Sequence, residues 1–204
     1  MRVDATFSTS GAGVSNVSVE YFIDDINVTN ETHFTVAMNA VGGQPGNFTV
    51  QLPGQADRSI VRWRIKGDRG SGVEAVSPRA DDPFAYHAYF VTPVRSSPYP
   101  GYDCFISGAS LSTLNTNISQ SPRRITLPDP PGTPRASWNA TEPAVVVVDG
   151  VVYDARMRYH GSRYRRSASR QSYKWQFPRY ATYNGRTGIF ETDKGEEHRL
   201  GSML

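Results

Sequence analysis

Apolar and polar residues alternate along most of the first half of the chain, which is the pattern of half-buried β-strands. In the segment Ile60–Lys66, for example, Val61, Trp63 and Ile65 share one parity, and the other parity is basic after Ile60. Segments of this kind, separated by Gly, Pro and Asn turns, predict strands at residues 17–23, 32–40, 47–52, 60–66 and 85–91. Several short strands around a central tryptophan predict an immunoglobulin-like or fibronectin type III-like β-sandwich.

A second group of strands is predicted in the last third of the chain. The continuous apolar run Val145–Val148 is typical of a buried strand, and Asp149-Gly150 is a strong signal for a two-residue hairpin turn. The segment Val151–Tyr159 then returns as the partner strand.

The segment Tyr173–Phe177 predicts a further strand. Its aromatic residues alternate with Lys174 and Gln176. Because alternate side chains of a strand point to opposite faces, Lys174 is expected to point away from the aromatic face.

The composition of the remaining segments predicts the domain boundaries. Residues 1–13 are small and polar, as in a linker or tail, and the sandwich is assigned to residues 14–92. Residues 93–134 are rich in Pro and Ser and predict a connector, with a short helix around Ser110 to Asn115. The second region covers residues 135–204.

The overall composition excludes several classes of protein. With 38% hydrophobic and 20% charged residues, the chain is expected to fold rather than remain disordered. Cys104 is the single cysteine, so an intrachain disulfide and a cysteine-ligated metal site are both excluded. The four histidines are widely spaced, which argues against zinc. No apolar run is long enough to span a bilayer, so we expect no transmembrane segment.

Asn-x-Ser/Thr tripeptides are frequent. They include six of the nine asparagines: Asn16, Asn27, Asn30, Asn47, Asn117 and Asn139. In a eukaryotic protein this frequency indicates a secreted glycoprotein surface, whereas in a bacterial protein it follows from a β surface rich in Ser, Thr and Asn.

Positive charge is concentrated late in the chain. Between Arg156 and Arg179 there are eight basic residues and no acidic residue. With Gly161 at its turn, this block can present guanidinium groups, hydroxyls and backbone N–H groups to a phosphate. The alternative is a solvated basic loop, since charge runs usually lie on the surface.

Two strings in this region resemble the CotH family of spore-coat-type atypical protein kinases. They are Val151-Val-Tyr-Asp-Ala-Arg-Met-Arg-Tyr-His-Gly-Ser-Arg-Tyr and Ser172-Tyr-Lys-Trp-Gln-Phe-Pro, which are similar to the family's "YDVxxRxRGSRY" and "SYKxxFP". His160 departs from the family, which more often has Arg there. The resemblance covers roughly Ala144 to Leu204. Three strings of the preceding strands, Val17-Ser-Val-Glu-Tyr, Val61-Arg-Trp-Arg-Ile and Tyr89-Phe-Val, resemble in their order the fibronectin-like module that often stands before CotH domains. A Leu-x-x-Leu element often stands after that module in CotH-like chains, so the resemblance also implies an alternative in which Tyr102 to Leu114 is the first strand and helix of the second region.

The resemblance implies the amino-terminal part of a kinase-like lobe, in which a strand lysine contacts nucleotide phosphates. Lys174 occupies the position of that lysine, and Arg158, Gly161, Ser162 and Arg163 lie in the preceding loop. The fold class expected on this basis is mainly β: the sandwich followed by a partial, β-rich kinase-like lobe.

The same resemblance implies an ion-pair partner for the lysine, and Glu196 or Glu197 stands at the start of an expected helix. The alternative for these two glutamates is a simple interaction with the helix dipole. ATP and Mg²⁺ are implied for the complete protein. Catalytic and metal-binding aspartates are expected downstream of Leu204, so this chain is expected to be an inactive amino-terminal portion. Implied partners are a protein substrate or surface and coat proteins, at an extracellular or cell-surface location.

Two other classes of function are consistent with the sequence. One is a non-catalytic adhesion module that binds a polyanion, in which tyrosines and Trp175 stack and the basic residues contact phosphate or sulfate. The other is a purely structural piece in which arginine side chains cover aromatic rings. The sequence does not predict the oligomeric state.

Overall fold

The chain is mainly β. A computed structural model describes residues 1–7, 13–69, 74–94, 102–118, 120, 138–161, 166, 169 and 171–183. Within these ranges there are twelve strands in three antiparallel sheets and one α-helix, which confirms the predicted β-rich class. No helix in these ranges is long and apolar enough to cross a membrane. Contacts divide the chain into unit 1, Met1–Pro100 with Asp149–Val152, and unit 2, Gly101–Val148 with Tyr153–Leu204.

Unit 1 contains eight strands in the described residues. They are β1 (Arg2–Thr6), β2 (Ser15–Asp24), β3 (Phe34–Ala37), β4 (Asn39–Ala40), β5 (Asn47–Gln51), β6 (Ile60–Asp68), β7 (Glu74–Ser77) and β8 (His87–Phe90). One sheet has the order β1-β5-β4. The other has the order β3-β2-β6-β7, and β8 also pairs with β6.

Both sheets of unit 1 contribute to one hydrophobic cluster. Val3 of β1 and Val50 of β5 lie in it together with Val19 of β2 and Val61 of β6. Val19 and Val61 are completely buried. The alternation read from the sequence therefore corresponds to an inner apolar face. An immunoglobulin or fibronectin identity for this unit stays a prediction.

The interpretation of residues 1–13 as a linker or tail is wrong for Arg2–Thr6. This segment pairs with β5 in register from Arg2 opposite Gln51 to Thr6 opposite Asn47. Val3 is only 2% exposed. In so short a strand a single apolar side chain can supply the contact with the core. Because the other residues are mostly polar, the alternation with a period of two is not visible in the sequence.

Unit 2 has a four-stranded sheet and the helix. The elements are β9 (Tyr102–Phe105), α1 (Gly108–Thr116), β10 (Glu142–Val148), β11 (Val151–Tyr159) and β12 (Tyr173–Gln176), and the sheet order is β12-β11-β10-β9. β10 and β11 are joined at Asp149 and Gly150, whose φ angles are 51° and 80°. Positive φ at both positions is the type I′ geometry that the Asp-Gly pair predicted.

Helix α1 lies where a short helix was predicted. Ser107 caps its start, since the Ser107 Oγ accepts a hydrogen bond from the backbone N–H of Ser110 at 3.1 Å. Leu114 is completely buried in the core cluster of unit 2, alongside residues of β10, β11 and β12.

The predicted connector, residues 93–134, is corrected in its middle part. β9 pairs with β10 from Phe105 opposite Val145 to Tyr102 opposite Val148. The alternative that Tyr102 to Leu114 forms the first strand and helix of the second region describes this segment better. Residues 95–101 and 121–137 lie outside the described residues.

Candidate functional site

Arg158 and Lys174 are side by side on one face of the unit 2 sheet. They are directly opposite each other in the pairing of β11 with β12, and Met157 is opposite Trp175. Met157 and Trp175 are 2% and 1% exposed and belong to the core. Because neighbouring side chains of a strand alternate, the two cations lie on the face away from the core, as predicted for Lys174. Side chains paired in this way have Cβ atoms about 5 Å apart.

Both cations line a cavity of about 320 Å³. Its lining residues are Asn139, Ala140, Thr141, Arg158, Lys174, Trp175 and Gln176. The lining therefore carries an ammonium, a guanidinium, two carboxamides and a hydroxyl, and no carboxylate. Such a set of hydrogen-bond donors suits an anion with several oxygen atoms.

One wall of the cavity, residues 139–141, is held from the β11 side by Arg156. The Arg156 Nε donates to the Thr141 Oγ1 at 2.9 Å, and its Nη2 donates to the Thr141 carbonyl oxygen. A planar guanidinium that reaches two acceptors on one residue restricts both the backbone and the side chain there.

The other end of this wall is held by Arg166, which is completely buried. Its Nη2 donates to the Asn139 Oδ1 at 3.0 Å and its Nη1 to the Trp138 carbonyl oxygen at 3.1 Å, while its Nε donates to the Gly161 carbonyl oxygen at 3.1 Å. These three acceptors are all neutral. Burial lowers the pKa of the Arg166 guanidinium, and the charge of Arg158 lowers it further.

The structure brings together some of the predicted site residues. Arg158 and Lys174 line the same cavity. The expectation that Arg158 lies in the loop before Lys174 is wrong, since Arg158 is a residue of β11 and pairs with Lys174 across the sheet. Gly161 has a φ of 92°, a conformation that favours glycine, and its carbonyl oxygen accepts from Arg166. The other predicted site residues lie outside the described part of the chain; they are Ser162, Arg163, Glu196 and Glu197.

Sequence reasoning missed the role of Arg166. It placed this residue among eight basic residues of a loop, where exposure is the ordinary expectation. Its acceptors at Trp138 and Asn139 lie more than twenty residues away along the chain, so no local pattern indicates the burial.

The described residues fit the phosphates of ATP better than they fit a metal ion. Arg158 and Lys174 supply the charges that phosphate oxygens require. In the described ranges no group of three or more His, Cys, Asp or Glu side chains can hold a metal ion. A Mg²⁺ site prefers carboxylate oxygens, and the cavity lining offers none.

The strand that carries Arg158 is anchored to the helix. The hydroxyl of Tyr159 donates to the Asn115 Oδ1 at 2.6 Å, and its ring lies 5.4 Å from the ring of Tyr173. Burial raises the pKa of the Tyr159 hydroxyl, which stays a hydrogen-bond donor. The cavity is thus built on strands fixed by packing.

A second charged cluster lies on the outer face of β2 and β6 in unit 1. The carboxylate of Glu20, a residue 7% exposed, accepts from the Arg64 Nη2 at 3.0 and 3.2 Å. It also pairs with the Lys66 Nζ and lies 2.7 Å from the His33 Nδ1. The guanidinium of Arg64 stands 4.8 Å from the centre of the Tyr86 ring.

The Glu20 carboxylate has several partners within this cluster. Burial would by itself raise the pKa of Glu20, but hydrogen bonds from Lys66, His33 and Arg64 outweigh it and lower the pKa to about 2. Since its carboxylate is engaged by these partners, we assign the cluster to stability and not to ligand binding.

No protein-family model, curated protein or solved structure matches the chain.

Proposed function

We propose that unit 2 is the nucleotide-phosphate-binding sheet of a CotH-like secreted or surface atypical protein kinase, and that unit 1 is an accessory β module. The observation that carries this proposal is the position of Arg158 and Lys174, which are paired across β11 and β12 and line one cavity. It adds to the resemblance of the strings around these two residues to the CotH motifs. Protein substrates or surface and coat proteins are the partners that the proposal implies.

Each cation has a separate part in the proposed site. The Lys174 ammonium is a compact charge that can follow the oxygens of a phosphate chain. The Arg158 guanidinium carries five N–H donors for contact with a phosphoryl group, one of which, at Nη1, donates to the Tyr159 carbonyl oxygen at 3.1 Å. Bound ATP would supply the transferable phosphoryl group. The residues of this chain hold and orient its phosphates, and the proposal assigns them no chemical step.

The test is calorimetry with ATP, with and without Mg²⁺, on the chain and on two variants. Lys174→Ala removes a cation that lines the cavity, and Arg179→Ala removes an exposed cation of the same basic block that does not line it. We expect ATP binding to weaken at least about tenfold in Lys174→Ala, the effect of losing one charge-assisted contact, and to change little in Arg179→Ala. Equal effects of the two variants, or no binding by the unmodified chain, would contradict the proposal.

The second candidate is a non-catalytic surface module that binds a polyanion. Arg156 favours it, because this residue is exposed and lies on the same face as Arg158, about 7 Å further along β11. An extended polyanion would contact Arg156 and Arg179 as well as the cavity. Strong binding of heparin that falls in every arginine and lysine variant, without ATP binding, would favour this candidate.

A further inference from the structure

Two arginines outside the cavity lining act on the same cavity wall. Arg156 donates a hydrogen bond to Thr141, and Arg166 donates to Trp138 and Asn139. Residues 138–141 are therefore hydrogen-bonded to an arginine side chain at both ends. Asn139, Ala140 and Thr141 are three of the seven residues that line the cavity. The position of this wall therefore depends on hydrogen bonds from two guanidinium groups.

The two arginines differ in their surroundings. Arg166 is completely buried and Arg156 is exposed. Burying a guanidinium that has only neutral acceptors is costly, since the cation is removed from water and no opposite charge compensates it. Its three nitrogen atoms reach acceptors on two separate segments, at Gly161 and at residues 138–139. A lysine at this position keeps the charge but cannot reach all three acceptors in one plane.

We propose that Arg166 and Arg156 are positioning residues, which clamp residues 138–141 so that the cavity accepts a compact phosphate chain in preference to an extended polyanion. The inference rests on the proposed function of the Arg158 and Lys174 site. A fixed wall in the cavity that both cations line limits the size of the anion that reaches both. An extended polysaccharide gains most of its binding from exposed charges, which do not depend on the wall.

The test compares variants that keep every charge. Arg166→Lys and Arg156→Lys remove the forked hydrogen bonds, and Arg179→Lys makes the same change at an exposed arginine that does not line the cavity. ATP and heparin binding are measured by calorimetry at a temperature where near-ultraviolet circular dichroism shows each variant to be folded. Amide hydrogen exchange at residues 138–141 reports local opening of the wall.

We expect Arg166→Lys to weaken ATP binding about tenfold, to leave heparin binding unchanged and to speed amide exchange at residues 138–141. Arg156→Lys should also weaken ATP binding and speed amide exchange, by smaller factors because its side chain is exposed, and should likewise leave heparin binding unchanged. This variant keeps the test decisive if Arg166→Lys does not fold. Arg179→Lys should change neither ATP affinity nor exchange.

Retained ATP affinity in both variants would overturn the inference, because charge alone would then account for binding. Equal losses of ATP and heparin affinity would also overturn it, since selectivity would not depend on the wall. Absence of ATP binding by the unmodified chain would overturn the proposed function and, with it, this inference.

Discussion

Glu20→Gln is the substitution with the largest expected effect on unit 1 among its charged positions. In the folded chain the pKa of Glu20 is about 2, against an ordinary value of 4.5. At about 1.4 kcal/mol per pH unit, this difference is worth at most about 3 to 4 kcal/mol of stability near neutral pH. Arg64 and Lys66 are each 28% exposed, so solvent screening reduces the expected value to about 2 kcal/mol.

The pH dependence has a definite sign. Because the folded pKa lies below the unfolded pKa, the unfolded chain binds more protons between pH 4.5 and pH 2. The contribution of Glu20 is therefore complete above pH 4.5 and is lost as the pH falls through 2. In Glu20→Gln this contribution is absent at every pH, and Arg64 and Lys66 are left without their shared carboxylate.

The assay is urea unfolding followed by NMR signals of β2 and β6 residues, which report on unit 1 by itself. At pH 7 we expect Glu20→Gln to lower the free energy of unfolding by about 2 kcal/mol, and the difference from the unmodified chain to shrink as the pH approaches 2. Glu74→Gln is the matched control, since Glu74 is an exposed residue of the same sheet. It should change the free energy of unfolding by less than about 0.5 kcal/mol. A Glu20→Gln effect that equals the control, or that is constant from pH 7 to pH 2, would refute the reasoning.

Two further predictions concern the core of unit 2 and the turn that joins β10 to β11. Both are measured as free energies of unfolding in urea. Leu114→Ala removes a completely buried side chain and should lower the free energy of unfolding by about 3 kcal/mol. Leu111→Ala, on the exposed side of the same helix, should lower it much less. Similar losses in the two variants would contradict the core position of Leu114. Gly150→Ala places a side chain at a φ of 80° and should cost about 1 kcal/mol although no atom lies within 4 Å of the new Cβ. Gly42→Ala, also in open space but without positive φ, is its control, and an equal cost would show that backbone strain is not the cause.

Local patterns predicted the parts of the fold that depend on neighbouring residues. The Asp149-Gly150 turn and the alternation of Tyr173–Phe177 are both found, because turn chemistry and a period of two act over a few residues. β1 was missed because a five-residue strand with one completely inward valine resembles a polar tail. The short helix in the Pro- and Ser-rich stretch was predicted, whereas the strand before it, Tyr102–Phe105, was only an alternative, because the average composition of that stretch is that of a connector.

Contacts between distant residues explain what the sequence could not predict. Glu20 is a polar residue in a strand where apolar and polar residues alternate, so the pattern predicts that it is exposed. Its burial depends on Arg64, which is 44 residues away along the chain. Arg166 depends likewise on Trp138, at a separation of 28 residues. By contrast, the side-by-side position of Arg158 and Lys174 needs only the pairing of two adjacent strands, although their pairing register was not predicted.

The central claim is that Arg158 and Lys174 form one phosphate-binding site with the wall at residues 139–141. The most direct measurement is an NMR titration of the chain with ATP, followed at assigned backbone amides. We expect saturable chemical-shift changes concentrated at residues 139–141, at Arg158 and at residues 174–176. These changes should be lost in Lys174→Ala. Shifts centred instead on the exposed Arg156 and Arg179, or the absence of saturable shifts, would contradict it.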